Sequence, residues 1–281
     1  MIALCASLFG CREKQEPAQI VATTLPVYEF TTLLCAGTNV KVGKLITEDI
    51  GCLHDYTINV TQMQMLENAE LLITSGAGLE HFLEDITIRI QTIDASENIP
   101  LMCSEHDHGD EHTHKDKIDP HYWLSPNNAK IMSENIYKNL INYYPEFEKQ
   151  FSDNFDCLQK DFDTLSSYAD RKLENLSCRE LITFHDGFSY MADAFDLTIL
   201  QALEEESGSE ASASELISLI NLVNSHNLPA VFIERNGSTS AASIIAAEED
   251  IRCYTLDMAM SGDSYFDAMY HNIDTLSEAL K

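Results

Sequence analysis

Histidine and carboxylate residues are concentrated in one short stretch of the chain. Five of the ten histidines lie within the sixteen residues from 106 to 121, where aspartate and glutamate alternate with them. A neutral imidazole offers a nitrogen lone pair to a borderline cation, and so polar a stretch cannot pack into a core. We therefore predict a metal-binding loop; the competing interpretation is a solvated acidic loop whose histidines are incidental. Its ligands would be His106, His108, His112 and His114.

Other candidate ligands fall just after predicted strands or in the loops that leave them. In open α/β sheets, ligands bind in the crevice outside the carboxyl ends of the strands. Three imidazoles and one carboxylate would make a four-coordinate zinc set. Such a set could be built from His54, His121, His185 and Asp257. The alternatives are that each histidine is a structural residue at a strand end, that Asp257 is a turn or capping residue, or that Glu234 supplies the carboxylate.

Each ligating imidazole also needs an acceptor for its second ring nitrogen. Carboxylates close in sequence to the three histidines could fill this role: Asp55, Asp119 and Asp186. The remaining histidines lie in helical or loop contexts without such a setting, and we expect them to be structural: His81, His226 and His271.

The elements that would position these residues alternate between strands and helices. Short apolar runs such as 20–25, 71–74, 180–184 and 252–256 are typical of buried strands, and stretches with helical spacing follow them. This alternation predicts an α/β fold with two βα lobes, each built on a mostly parallel sheet.

Between the two lobes the sequence predicts one long amphipathic helix. Residues 145 to 176 contain no glycine, and their apolar side chains recur at three- and four-residue spacing. About thirty helical residues would run roughly 45 Å, which is long enough to bridge two lobes rigidly. The predicted division is an N-terminal signal and tether at 1–19, an N-terminal lobe at 20–144, the linking helix at 145–176, and a C-terminal lobe at 177–281. An acidic stretch of small residues, 204–213, is expected to be a surface loop.

The amino-acid composition limits the kinds of molecule that this protein can bind. A formal charge of -29, from 46 acidic and 17 basic residues, repels phosphate backbones, so a nucleic-acid partner is not expected.

The N-terminal segment predicts export. The apolar run of residues 1–10 is too short to span a bilayer and is typical of a signal peptide. Leu8-Phe9-Gly10-Cys11 resembles a bacterial lipobox, which predicts a lipid on Cys11 as the membrane attachment. Export would permit disulfides, but no pairing follows from the spacing of the six remaining cysteines: Cys35, Cys52, Cys103, Cys157, Cys178 and Cys253.

Several segments match motifs of one known protein family. They are Leu53-His54-Asp55-Tyr56, Gly78-Leu79-Glu80-His81-Phe82-Leu83, Asp119-Pro120-His121-Tyr122-Trp123-Leu124-Ser125-Pro126, Phe184-His185-Asp186-Gly187-Phe188-Ser189-Tyr190, Gly262-Asp263-Ser264-Tyr265-Phe266 and His271-Asn272-Ile273-Asp274. Through them the chain resembles the zinc and manganese solute-binding lipoproteins of bacterial ABC transporters. This is the metal-specific cluster of periplasmic-type binding proteins, and the resemblance covers nearly the whole mature chain.

The resemblance implies a site, a metal and a partner. The metal ligands would be His54, His121, His185 and Asp257, held in a cleft between the lobes. A histidine at position 185 favours Zn²⁺, whereas a carboxylate there would suggest Mn²⁺. The implied protein is a monomer that is anchored outside the cytoplasm and hands its metal to an ABC permease.

Alternatives to zinc delivery remain open. They are a manganese-binding counterpart of the same family and, in a different class, a surface adhesin or metal-storage lipoprotein. A zinc hydrolase is not expected, because the chain has no H-E-x-x-H, no G-x-S-x-G and no phosphate-binding loop.

Two positions depart from the family pattern. Gly51-Cys52-Leu53 stands where Pro and Gly commonly precede the first ligand, and Cys52 is a soft donor that could contribute to the site or to a disulfide. Arg235 stands where Pro often follows Glu234.

Overall fold

The computed structural model describes residues 17–50, 53, 56–84, 89–103, 118–203 and 211–281. Some predictions fall outside the described residues. They concern Cys11, Cys52, His54, Asp55 and the tract His106, His108, His112 and His114.

The N-terminal lobe is built on a four-stranded parallel sheet with the order β2-β1-β3-β4. Its strands are β1 (Ile20–Ala22), β2 (Val42–Lys44), β3 (Leu71–Thr74) and β4 (Gln91–Asp94), and its helices are α1 (Leu25–Leu34), α2 (Val60–Asn68) and α3 (Pro126–Tyr143). The central strands β1 and β3 are buried along their whole length, as a parallel sheet covered on both faces requires. A reciprocal capping box between Asn59 and Gln62 fixes the start of α2.

The predicted linking helix is confirmed. It is α4 (Glu148–Leu173), preceded by a single 3₁₀ turn at Pro145–Phe147, and its 26 residues run about 39 Å. The buried face repeats at three-, four- and seven-residue spacing through Phe151, Leu158, Phe162, Leu165, Ala169 and Leu173.

The C-terminal lobe repeats the topology of the first, with strand order β6-β5-β7-β8 and all neighbours parallel. Its strands are β5 (Glu180–Thr183), β6 (Thr198–Ala202), β7 (Ala230–Glu234) and β8 (Arg252–Leu256), and its helices are α5 (Ser189–Ala194), α6 (Ala213–His226), α7 (Ser240–Glu249) and α8 (Tyr265–Ala279). Ser212 and Glu215 form a capping box at the start of α6. The predicted two-lobe α/β fold is therefore confirmed, although β4, β6 and α3 had not been assigned from the sequence.

One hydrophobic core runs through both lobes along α4. The Phe162 ring packs 5.2 Å from Phe30 of α1 and 5.2 Å from Phe266 of α8, measured between centroids. Phe30 also contacts Tyr265, with centroids 4.9 Å apart. Because side chains of both lobes bury one face of the same helix, a wide opening of the lobes would expose apolar surface and is disfavoured.

Residues 258–264 follow β8 and cross to the N-terminal lobe; we call them the crossing segment. Trp123 Nε1 donates to Met258 O at 2.8 Å, Leu25 N donates to Met260 O at 3.0 Å, and Lys44 Nζ donates to Gly262 O at 2.9 Å. The crossing segment thus belongs to the C-terminal lobe by sequence and to the N-terminal lobe by its hydrogen bonds.

The cysteines of the described ranges are all free thiols: Cys35, Cys103, Cys157, Cys178 and Cys253. The disulfides that export would permit are therefore not formed among them. Along the same part of the chain, none of the helices combines the length and apolar character needed to cross a bilayer.

Candidate metal centre

Three candidate ligands lie at the carboxyl ends of strands in the C-terminal lobe. His185 follows the last residue of β5 by two positions, Glu234 is the last residue of β7, and Asp257 comes directly after β8. β5 and β7 are adjacent strands from which the chain departs in opposite directions across the sheet, which is the switch point where α/β folds bind ligands. His121 reaches the same region from the N-terminal lobe, at the start of the 3₁₀ turn Tyr122–Leu124.

His121 is buried, and Asp119 fixes its orientation. The backbone N of His121 donates to Asp119 Oδ1 at 2.9 Å, and His121 Nδ1 lies 2.8 Å from the same oxygen. Tyr190 OH donates to Asp119 O at 2.9 Å, which ties this turn to α5 of the other lobe. Because Asp119 engages Nδ1, Nε2 is the nitrogen suited to bind a metal.

His185 lies against His121 across the two lobes. The two ring centroids are 5.5 Å apart with an interplanar angle of 78°, and both residues are buried. His185 Nδ1 lies 3.3 Å from Glu234 Oε2, so a carboxylate flanks this imidazole too. The Thr183 hydroxyl donates to His185 O at 3.0 Å and holds the turn after β5.

Gly187 allows the two imidazoles to approach. A Cβ at this position would lie 2.9 Å from His121 Nδ1, 2.9 Å from His185 Cδ2 and 2.5 Å from Met258 Cε. Real Cβ atoms essentially never approach other atoms this closely, so a side chain here would force Met258 or the two imidazoles to shift. Gly187 therefore marks where both histidines and the start of the crossing segment meet.

Asp257 forms an ion pair with an arginine of its own lobe. Arg235 Nη1 donates to Asp257 Oδ2 at 2.9 Å, while Ala259 N donates to Asp257 Oδ1 at 2.8 Å. The hydrogen bond and charge of Asp257 raise the pKa of Arg235 above its ordinary value. The side-chain amide of Asn272 accepts from Asp257 N and donates to Asp257 O, both at 2.7 Å, and so fixes the main chain of Asp257.

The second arm of Arg235 reaches the N-terminal lobe. Nη2 lies 3.3 Å from Asp49 Oδ2, and the single Ser261 hydroxyl lies within hydrogen-bond distance of two acceptors, Asp49 Oδ1 at 2.9 Å and Ile50 O at 3.0 Å. The Ser261 hydrogen bond is the main cause that lowers the pKa of Asp49. Asp49 precedes the predicted ligand His54 by five residues, which span at most about 17 Å when extended.

The structure brings together part of the predicted ligand set. His121 and His185 are adjacent, Asp257 is paired with Arg235, and His54 lies outside the described residues. In the ranges that the structure describes, no three His, Cys, Asp or Glu side chains are grouped as a metal site. His226 Nδ1 instead lies 2.9 Å from Glu180 and His271 Nε2 lies 3.2 Å from Thr255 O, which are structural contacts.

Sequence reasoning identified Asp119 as a partner of His121 but did not anticipate the roles of Glu234, Gly187 and Arg235. It had weighed Glu234 as a competing ligand, while the geometry shows this carboxylate beside His185 Nδ1. Gly187 stood inside a quoted motif, and a glycine two residues after a ligand was the available signal. Arg235 had been noted only as a departure from the family pattern.

Three comparisons with known proteins agree with this architecture. The zinc-binding lipoprotein AdcA of Streptococcus pneumoniae is 25% identical over 304 residues, an alignment that covers 99% of this chain and 60% of AdcA. This chain therefore spans about three fifths of that relative. The crystal structure of ZnuA matches with a TM-score of 0.79 and 26% identity, covering 94% of this chain and 100% of that one. A zinc-bound deletion mutant of ZnuA matches with a TM-score of 0.78 and 25% identity, covering 94% of this chain and 98% of that one.

The family described as zinc-uptake complex component A, periplasmic, matches residues 20–279. This range includes both sheets, the linking helix, and the turns that carry His121, His185 and Asp257. Because the match runs over nearly the whole chain, the protein belongs to the family of periplasmic zinc-uptake complex component A.

Proposed function

We propose that this protein captures Zn²⁺ outside the cytoplasm and delivers it to an ABC-type permease. The observation that carries the proposal is the contact between two buried imidazoles from different lobes, 5.5 Å apart between centroids. Burying two imidazoles removes their ring nitrogens from water, and a shared cation bound to both rings would offset that cost. The names of the relatives, a zinc-binding lipoprotein and ZnuA with zinc bound, support the same function.

The proposed ligands are His54, His121, His185 and Asp257. Three nitrogens and one carboxylate oxygen suit the tetrahedral preference of Zn²⁺, while Mn²⁺ prefers more oxygen ligands and a higher coordination number. The two described histidines fit this role, because a carboxylate flanks Nδ1 of each imidazole.

The proposal contains no catalytic step. Four protein ligands close the coordination sphere, whereas a catalytic zinc keeps one position open for water. The remaining parts of the proposal are a lipid on Cys11, a monomeric state, a permease partner, and secondary binding by His106, His108, His112 and His114. The lobe boundaries at 20–144, 145–176 and 177–281 likewise remain proposals.

A competitive zinc titration tests the proposal. The protein from residue 11 onward, with Cys11→Ala, is titrated against a chromogenic chelator beside three variants: His121→Ala, His226→Ala and a deletion of residues 106–114. We expect one tight zinc in the parent, lost in His121→Ala and kept in the other two. The deletion should lower only the number of weak sites.

The metal identity is tested in the same titration by competition with Mn²⁺. Tighter binding of Mn²⁺ than of Zn²⁺ would keep the solute-binding function but reverse the metal. Absence of any tight site, or a tight site that survives in His121→Ala, would refute the proposed site.

A further inference from the structure

Arg235 occupies an unusual position for a residue beside a cation site. Its guanidinium lies 2.9 Å from the carboxylate of Asp257, a proposed zinc ligand, and 3.3 Å from that of Asp49. Two positive charges on one carboxylate repel each other, so a bound zinc and this guanidinium compete for Asp257. This competition presupposes the zinc-binding function proposed above.

The two carboxylates that hold Arg235 differ in their surroundings. Asp257 is buried, with 11% of its side chain exposed, whereas Asp49 is half exposed at 51%. Arg235 itself is 47% exposed, so its side chain can rotate without unpacking a core. Asp49 also accepts the hydroxyl of Ser261, which fixes it next to the crossing segment. The guanidinium therefore has a second anionic partner ready when Asp257 is taken.

The Asp49 contact also links this arginine to the segment that leads to His54. The Ser261 hydroxyl lies within hydrogen-bond distance of both Asp49 and Ile50, and Arg235 bridges Asp49 to Asp257 across the two lobes. A shift of Arg235 between these carboxylates thus changes the contacts of a segment that lies five residues before a proposed ligand.

We propose that Arg235 is an internal counter-ion that holds Asp257 in the metal-free cleft, moves fully to Asp49 when zinc binds, and displaces zinc from Asp257 during release. In this device Arg235 weakens zinc binding and speeds dissociation. Asp49 opposes it by offering the alternative partner. Arg235 is thus a tuning residue for affinity and not a ligand.

A double-mutant cycle tests the device by zinc affinity and by the rate of zinc loss into excess chelator. Arg235→Ala should bind zinc about tenfold more tightly and release it more slowly. Asp49→Asn should bind about threefold more weakly, because Arg235 then remains on Asp257. In the Arg235→Ala background, Asp49→Asn should have almost no effect.

Arg252→Ala is the matched control. It removes one arginine that also pairs with a carboxylate, Glu278 at 3.4 Å, but at the opposite end of β8 from Asp257. Its zinc affinity should equal that of the parent, which separates a local effect from the loss of one positive charge. Thermal unfolding of each metal-free variant checks that the fold is kept.

The zinc measurements separate failure of the Arg235 device from failure of the proposed zinc function. Weaker or unchanged zinc binding in Arg235→Ala would overturn the device, since Arg235 would then position Asp257 or do nothing. An equal effect of Asp49→Asn with and without Arg235 would also overturn it. A parent protein without tight zinc, or His121→Ala with unchanged affinity, would instead overturn the proposed function itself.

Discussion

Asp119 and His121 are joined twice through a single carboxylate oxygen. Asp119 Oδ1 accepts from the backbone N of His121 at 2.9 Å and lies 2.8 Å from His121 Nδ1. The first contact fixes the main chain of the turn, and the second fixes the rotation and tautomer of the ring. Both residues are buried, so water does not compete for these contacts. His121 therefore presents Nε2 in one orientation before any metal arrives.

Replacing Asp119 should weaken zinc binding without removing the site. We expect Asp119→Asn to lower zinc affinity about 10- to 100-fold, because an amide keeps an acceptor near Nδ1 but loses the charge that makes the imidazole a better donor to metal. Competitive titration measures the loss. Asp193→Asn, at an exposed position on α5, is the control and should bind as the parent does. Unchanged affinity in Asp119→Asn would mean that the ring needs no charged partner.

Glu234 should act on zinc through His185. Because its carboxylate lies 3.3 Å from His185 Nδ1, we expect Glu234→Gln to lower zinc affinity about tenfold and to leave the coordination set unchanged. X-ray absorption of the zinc-loaded variant should show the same number of nitrogen and oxygen neighbours as the parent. Asp257→Ala, which removes a proposed ligand, is measured in the same way for comparison. A loss of one oxygen neighbour in Glu234→Gln would instead make Glu234 a ligand.

The sequence predicted the fold well because the two sheets depend on local signals. Apolar runs such as 71–74 and 180–183 are buried strands, and the glycine-free stretch after Pro145 is one helix. The edge strand β4 escaped prediction because three of its four side chains are exposed and polar, which removes the apolar run; β6, which keeps Ile199 and Leu200, was also not assigned. Helix α3 was missed although Pro126 and the Ser125 cap are ordinary start signals.

The site was predicted only as residue types at strand ends. Motifs and strand positions indicated His121, His185 and Asp257, and sequence proximity indicated Asp119. The pairing of Arg235 with Asp257 and Asp49 could not be predicted, since it joins residues separated by 22 and 186 positions. Such contacts depend on how the crossing segment packs against the other lobe, which no local pattern encodes.

Gly187 should be intolerant of any side chain. We expect Gly187→Ala to lower zinc affinity at least tenfold, because its methyl would lie 2.9 Å from His121 Nδ1 and from His185 Cδ2. The same methyl would meet Met258 Cε at 2.5 Å, so the apo protein should also unfold at a lower temperature. Adding Met258→Ala should restore part of the thermal stability but not the affinity. Full recovery of zinc binding in the double variant would show that Met258, and not the imidazoles, limits the space.

Glu80 makes the stability of the metal-free protein depend on pH. Its carboxylate accepts from the Thr23 hydroxyl at 2.6 Å, Ser75 N at 2.7 Å and Gly76 N at 3.0 Å, and it is buried. Burial raises its pKa from the ordinary 4.5 to about 7, because desolvation of the charged form outweighs these hydrogen bonds. Between these two values the folded protein keeps a proton that the unfolded chain has released.

Stability should therefore fall as pH rises through this window. The contribution of protonated Glu80 is fully present below about pH 4.5 and is lost as pH passes 7, a difference on the order of 3 kcal/mol. The side chain of Glu80→Gln is neutral at every pH. The free energy of unfolding of the parent minus that of this variant, measured in urea at pH 5, 6, 7 and 8, therefore isolates the effect of Glu80. Glu67→Gln, on the exposed face of α2, is the control and should follow the parent. A difference between the parent and Glu80→Gln that stays flat from pH 5 to 8 would show that the three hydrogen bonds keep Glu80 ionised.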